Sequence, residues 1–174
     1  MGESTGALTM TAAEQLLAIE EIKKVFATRL RVMDTKQWDL YGPLHTEDVV
    51  TETWAGLPGD KQPKANGQSN RASGREHLTK AISGMLGNST YVTTAHHGHQ
   101  PEITLTSDTT ATGIWAMEDE LWWTNGDAEE HLHGYGHYHE EYRKVEGKWL
   151  ISYRKLTRLR EVHTPDFFDY MSAL

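Results

Sequence analysis

From about residue 90 to residue 162 the chain is one long strand-forming stretch, cut only by short turn signals at Ser107-Asp108, Asn125-Gly126 and Glu146-Gly147. Connections of two or three residues can join only antiparallel neighbours, so this half of the chain must be a meander of four or five strands. The half before it has helical spacing. Thr11 and Glu14 form a capping box, and Ile19, Ile22, Phe26, Leu30 and Met33 recur at helical intervals, which predicts a long amphipathic helix over 12–33. A short second helix breaks at Gly42-Pro43, "EDVVTETW" alternates as a first strand, and "SGREHLTKAISGML" reads as a third helix capped by Ser73. Helices first and an antiparallel meander after is the α+β order, with helices on one face of a curved sheet and a pocket between them.

The 174 residues fit a single domain over 1–174. Within it, 56–72 is rich in Gly, Pro, Asn and Ser and reads as a surface loop insertion, while 163–174 is a C-terminal tail able to form a short helix behind Pro165. Seventeen basic against 25 acidic residues give a net charge of −8, with no basic block, so the pattern offers nothing to nucleic acid or an anionic membrane. A small-molecule partner is expected. Cysteine is absent, which removes disulfides, thiolate nucleophiles and zinc–thiolate sites. With no signal-like opening and no apolar span, the expected location is the cytoplasm.

Two strands carry the chemistry. In "ATGIWAMEDELWW" the period of two puts Trp115, Met117, Asp119, Leu121 and Trp123 on one face and Ile114, Ala116, Glu118 and Glu120 on the other. A carboxylate inside an aromatic row must find a partner or take up a proton, so Asp119 is either a structural Asp with a bonded partner or half of a functional pair. In "HLHGYGHYHEE", His131, His133, Tyr135, His137 and His139 share a face, while Gly134 and Gly136 leave room on the opposite one for a close approach or a bend. His-x-His pairs suit metals, but there is no His-Glu-x-x-His pattern and no carboxylate at facial-triad spacing, so no metal is expected. Asp34 by position is a helix-end turn residue, and Arg158 a charge on the last strand.

The runs "AIEEIKKVFATRLRVMDTKQWD", "HHGHQPEITLTSDTTATGIWAMEDELWW" and "EEYRKVEGKWLI" resemble the SnoaL-like branch of the nuclear-transport-factor-two-like superfamily, and within it the bacterial bile acid 7α-dehydratases. The scytalone dehydratases are more distantly similar. The resemblance spans roughly 15–162 without the 56–72 loop. It implies a cone-shaped α+β fold, a curved mixed or antiparallel sheet with three N-terminal helices enclosing a pocket, with a steroid-like substrate in that pocket, a homotrimer, and no cofactor or metal. It implies His96 as the catalytic histidine, Asp119 as its carboxylate partner, and Asp34 and Arg158 as further polar pocket residues. Trp115 and Met117 would line the substrate. Five residues before Asp34, where the bile acid enzymes carry a tyrosine, this chain has Arg29, which can donate hydrogen bonds but cannot act as an acid near neutral pH. Arg29 is expected to reach the pocket and to mark a substrate that differs in charge or oxygen pattern from the usual bile acid, such as one with a free carboxylate, and the missing donor would then come from His133, Tyr135 or His137.

The reaction so implied is loss of water from a 7-hydroxy-3-oxo-4-ene steroid with His96 as general base. The same pocket type also supports ketosteroid isomerisation, polyketide cyclisation or epoxide opening, and the architecture serves non-catalytic binding proteins as well.

Overall fold

The protein is described here from a computed structural model, for residues 7–52, 71–87 and 92–169. The capping box forms as expected, with the Thr11 backbone N–H donating to Glu14 at 2.8 Å. Helix α1 runs Ala12–Asp34 and buries Ala18, Ile22, Phe26, Arg29, Leu30, Val32 and Met33 along one stripe. It ends in a Schellman closure: Gln37 N–H bonds the Val32 carbonyl at 2.8 Å, and Lys36 N–H the Met33 carbonyl at 3.2 Å. Helix α2 (Trp38–Tyr41) then tightens into a 3₁₀ turn, Gly42–Leu44, around Pro43.

Strand β1 is His45–Glu52, a two-residue shift from the expected start. A three-residue strand β2 (Arg71–Ser73) pairs with it, so Ser73 closes a strand rather than capping a helix. Helix α3 (Arg75–Gly87) begins after Gly74, which stands at φ +86°. Most of the 56–72 loop and the last residues of the C-terminal tail lie outside the described residues. The start of that tail makes a short 3₁₀ turn at 167–169, where Phe167 is buried and its carbonyl accepts Trp123 Nε1–H at 2.9 Å.

Four long strands follow: β3 (Thr93–Leu105), β4 (Thr110–Asn125), β5 (Ala128–Val145) and β6 (Lys148–His163). The sheet order is β2-β1-β6-β5-β4-β3, antiparallel throughout except for the parallel β1–β6 pair. The parallel pair was not legible in the local pattern, because it joins residues about 100 apart across the helical segment. Three helices and a curved six-stranded mixed sheet thus make the cone-type α+β fold. The main core lies between α1–α3 and the concave face, where the Phe26 ring stacks on Trp115 at 3.6 Å between centroids. Among the described residues no helix is long and apolar enough to cross a membrane.

Candidate active site

Alternation along β4 and β5 decides which side chains face the helices. On β4, Trp115, Met117, Asp119 and Trp123 are buried there, as the period of two predicts. On β5 the buried set is Glu130, Leu132, Gly134, Gly136, Tyr138, Glu140 and Tyr142. His133, Tyr135 and His137 therefore point away from the concave face, and the expectation that they line a substrate pocket is corrected. His133 and Tyr135 instead flank an outer groove of about 650 Å³ beside Arg160 and His163. The shared face was right, but the burial of Leu132 and Tyr138 makes it the outer one. His97 and His99 also lie outside, each with a ring nitrogen 3.8 Å from Glu118.

His96 faces inward, and its carboxylate partner is Asp34. The end of α1 brings Asp34 Oδ1 to 2.6 Å from His96 Nδ1, and Oδ2 accepts the His96 backbone N–H at 3.0 Å. Thr94, two residues earlier on the same face of β3, donates its hydroxyl to Oδ1 at 2.8 Å. Burial would raise the Asp34 pKa, but the bonds from His96 and Thr94 outweigh it and hold the carboxyl below its ordinary value. A carboxylate can only accept, so Nδ1 carries a proton, and in the neutral ring the lone pair is on Nε2. The His96 side chain is 7% exposed and that of Asp34 22%, so the pair sits near the mouth of the interior rather than sealed within it.

The expectation that Asp119 partners His96 is likewise corrected. The two are directly opposite in the β3–β4 ladder, which explains why the sequence suggested it. Both Asp119 oxygens, however, are taken by the Arg158 fork, Nη1–Oδ1 at 2.6 Å and Nη2–Oδ2 at 2.8 Å. Gly134 makes this possible, since a Cβ there would stand 2.1 Å from Arg158 Nη1 and 2.5 Å from Asp119 Oδ1. Glu161, unremarked in the sequence, lies 3.5 Å from Arg158 Nε. Burial alone would lower the Arg158 pKa, but the Asp119 bond raises it, so the guanidinium is a fixed charge. Asp34, Asp119 and Arg158 all belong to the interior, in a different pairing from the one expected.

Arg29 is wholly buried but is not directed at an open site. Its Nη2 pairs with Glu140 Oε1 at 3.1 Å, and its guanidinium lies over the Phe26 and Tyr138 rings at 5.1 and 4.7 Å. Tyr142 donates to Glu140 and accepts Trp115 Nε1–H at 3.0 Å. The reading of Arg29 as a contact for a charged substrate is corrected, because Glu140 already balances it. Nothing in the local pattern pointed to Glu140, whose side chain meets Arg29 of α1 in the core. His45 is buried beside this cluster, and burial, with the Arg29 and Arg154 charges, lowers its pKa to about 3.

Residues 14–155 match the SnoaL-like domain, and the chain belongs to that family. Solved structures agree on the fold. A candidate scytalone dehydratase from Novosphingobium aromaticivorans DSM 12444 superposes with a TM-score of 0.70 at 19% identity, covering 87% of this chain and 91% of that one. A type 2 hexachlorocyclohexane dehydrochlorinase (LinA) gives 0.72 at 16%, over 88% and 93%. The LinA-type3 enzyme of Novosphingobium barchaimii LL02 gives 0.70 at 13%, over 89% and 95%. At these identities the likeness establishes the fold, and chemistry has to be argued from the site.

Proposed function

We propose that this protein is a cofactor-independent lyase that eliminates water from a hydroxylated ring substrate, with His96 as general base and Asp34 as its orienting carboxylate. The observation that carries this reading is the 2.6 Å contact from His96 Nδ1 to Asp34, which in the neutral ring assigns the proton to Nδ1 and the basic lone pair to Nε2. The neighbours described as dehydratase and dehydrochlorinase support the reaction class, since both names denote removal of H and a leaving group from adjacent carbons.

The substrate we assign is a 7-hydroxy-3-oxo-4-ene steroid, on the sequence resemblance to the bile acid dehydratases. His96 Nε2 takes the C6 proton, which the extended carbonyl acidifies. The C–H electrons pass into the dienolate, return to form the C6–C7 double bond, and expel the C7 oxygen, which leaves as water after receiving the proton from the imidazolium. Asp34 holds the Nδ1–H tautomer and stabilises the imidazolium between the two transfers. The buried side chains of Trp115 and Met117 belong to the apolar core behind this pair, and a low-dielectric surrounding strengthens that interaction. Asp119 and Arg158 brace the wall.

The product is a 4,6-diene whose longer conjugation absorbs at longer wavelength. Purified protein incubated with this steroid should develop that band and a product lighter by one water. Absence of both, with a panel of other hydroxylated ring substrates also unchanged, sinks the proposal.

A further inference from the structure

The Schellman closure of α1 needs left-handed backbone at the residue after the cap, a position where glycine is unstrained and a Cβ crowds the neighbouring carbonyl. This chain places Lys36 there, at φ +58°. A strained residue persists where something outweighs the strain, and its side chain shows what. Lys36 Nζ lies 2.9 Å from Thr94 Oγ1, and the Thr94 hydroxyl lies 2.8 Å from Asp34 Oδ1. A threonine hydroxyl has one proton. While the lysine donates to that oxygen, the proton is committed to Asp34, which takes His96 Nδ1–H on the same oxygen atom.

We propose that Lys36 is a positioning residue for the His96 base: by donating to Thr94 it locks the hydroxyl toward Asp34 and so holds the carboxylate in the orientation that accepts from His96. The proposal rests on the reading of His96 as the base. Burial lowers the lysine pKa to about 8, against the opposing pull of the Asp34 charge, so the amine is cationic at neutral pH. The Trp38 ring lies 6.0 Å from Nζ, and Asp34 and His96 are titratable groups that the end of α1 and β3 bring to the relay.

Lys36→Gly separates this role from a structural one, because it relieves the positive φ while deleting the amine. Its melting temperature should equal or exceed that of the parent, while kcat on the 7-hydroxy-3-oxo-4-ene steroid falls about 10-fold with KM within about 2-fold. In substrate-free NMR spectra the His96 Nδ1–H proton should move upfield or broaden in Lys36→Gly, since the carboxylate is no longer fixed toward it. Thr94→Val should give a similar kcat loss and Thr94→Ser restore it. Lys36→Gly should add little to kcat loss in the Thr94→Val background if the lysine acts through that hydroxyl. Multiplying losses, or a His96 Nδ1–H signal unmoved by Lys36→Gly, would overturn the proposal. That signal needs no turnover, so a moved His96 Nδ1–H in a protein inactive on the steroid supports the relay and counts only against the assigned substrate.

Discussion

His96 and Asp34 are 62 residues apart in the chain, yet their side chains meet at 2.6 Å, because the last turn of α1 ends against the first half of β3. Removing the base should remove most of the chemical step. Folded His96→Ala protein is expected to lose on the order of 100-fold or more in kcat with a smaller change in KM. Asp34→Asn should keep the fold but favour the wrong imidazole tautomer, with a comparable loss. Wild-type turnover by His96→Ala in the diene assay places the base elsewhere, and wild-type turnover by Asp34→Asn removes the orienting role of Asp34.

Asp119 and Arg158 form a pair with side chains 4% and 3% exposed. Asp119→Ala leaves a buried guanidinium with Glu161 alone, and the expected cost is about 3–5 kcal/mol in urea unfolding. Gly134→Ala should cost a similar amount by displacing the fork. A neutral result for Gly134→Ala would show that Arg158 has another place to go.

The Arg29–Glu140 pair is also fully buried, so single replacements by Met or Leu should each destabilise by roughly 3–5 kcal/mol. The double replacement Arg29→Met with Glu140→Leu should recover much of that loss, because no unpaired charge remains. The cycle is read from denaturant midpoints, and additive losses would mean that the two charges do not interact.

His45 ties the fold to pH. Its folded pKa of about 3 lies below the unfolded value of about 6.5, so the unfolded chain binds one more proton between those limits and stability falls as pH falls through that window. The slope contributed is about 1.4 kcal/mol per pH unit. His45→Asn, which keeps an N–H for the Tyr41 carbonyl, should flatten this part of the stability profile; urea midpoints measured from pH 7 to pH 4 test it.

The outer face of β5 and β6 leaves Tyr135, Leu159 and Val162 exposed at 37, 74 and 50%. A homotrimer that covers part of this face is expected, and light scattering should give three times the chain mass of 19.7 kDa. Replacing Tyr135 and Val162 by Ser should lower that mass, while His137→Ala should leave kcat unchanged. A monomer at micromolar concentration in the parent protein rules the trimer out.

Local pattern alone was enough for α1, the meander and the inward row Trp115, Met117, Asp119, since each rests on a period of 3.6 or 2 that neighbouring residues state. It also identified Gly134 and Gly136 as places where something comes close, and the arriving groups are Arg158 and the Thr157 carbonyl. Which face of β5 is buried could not be read there, because a strand with histidines on one side and glycines on the other signals no preference until a helix packs on it. The same holds for pairing. Ladder neighbours such as His96 and Asp119 are foreseeable from turn positions, but the choice between Asp119 and Asp34 depends on where the end of α1 lands and which cation claims a carboxylate first. Arg158 reaches Asp119 through the space left by Gly134, and Asp34 is left to take His96. Sequence determined the elements and the residue types the chemistry needs. Long-range packing decided the partners, because hydrogen-bond and charge pairing is settled by distances of a few tenths of an ångström between segments that share no local pattern.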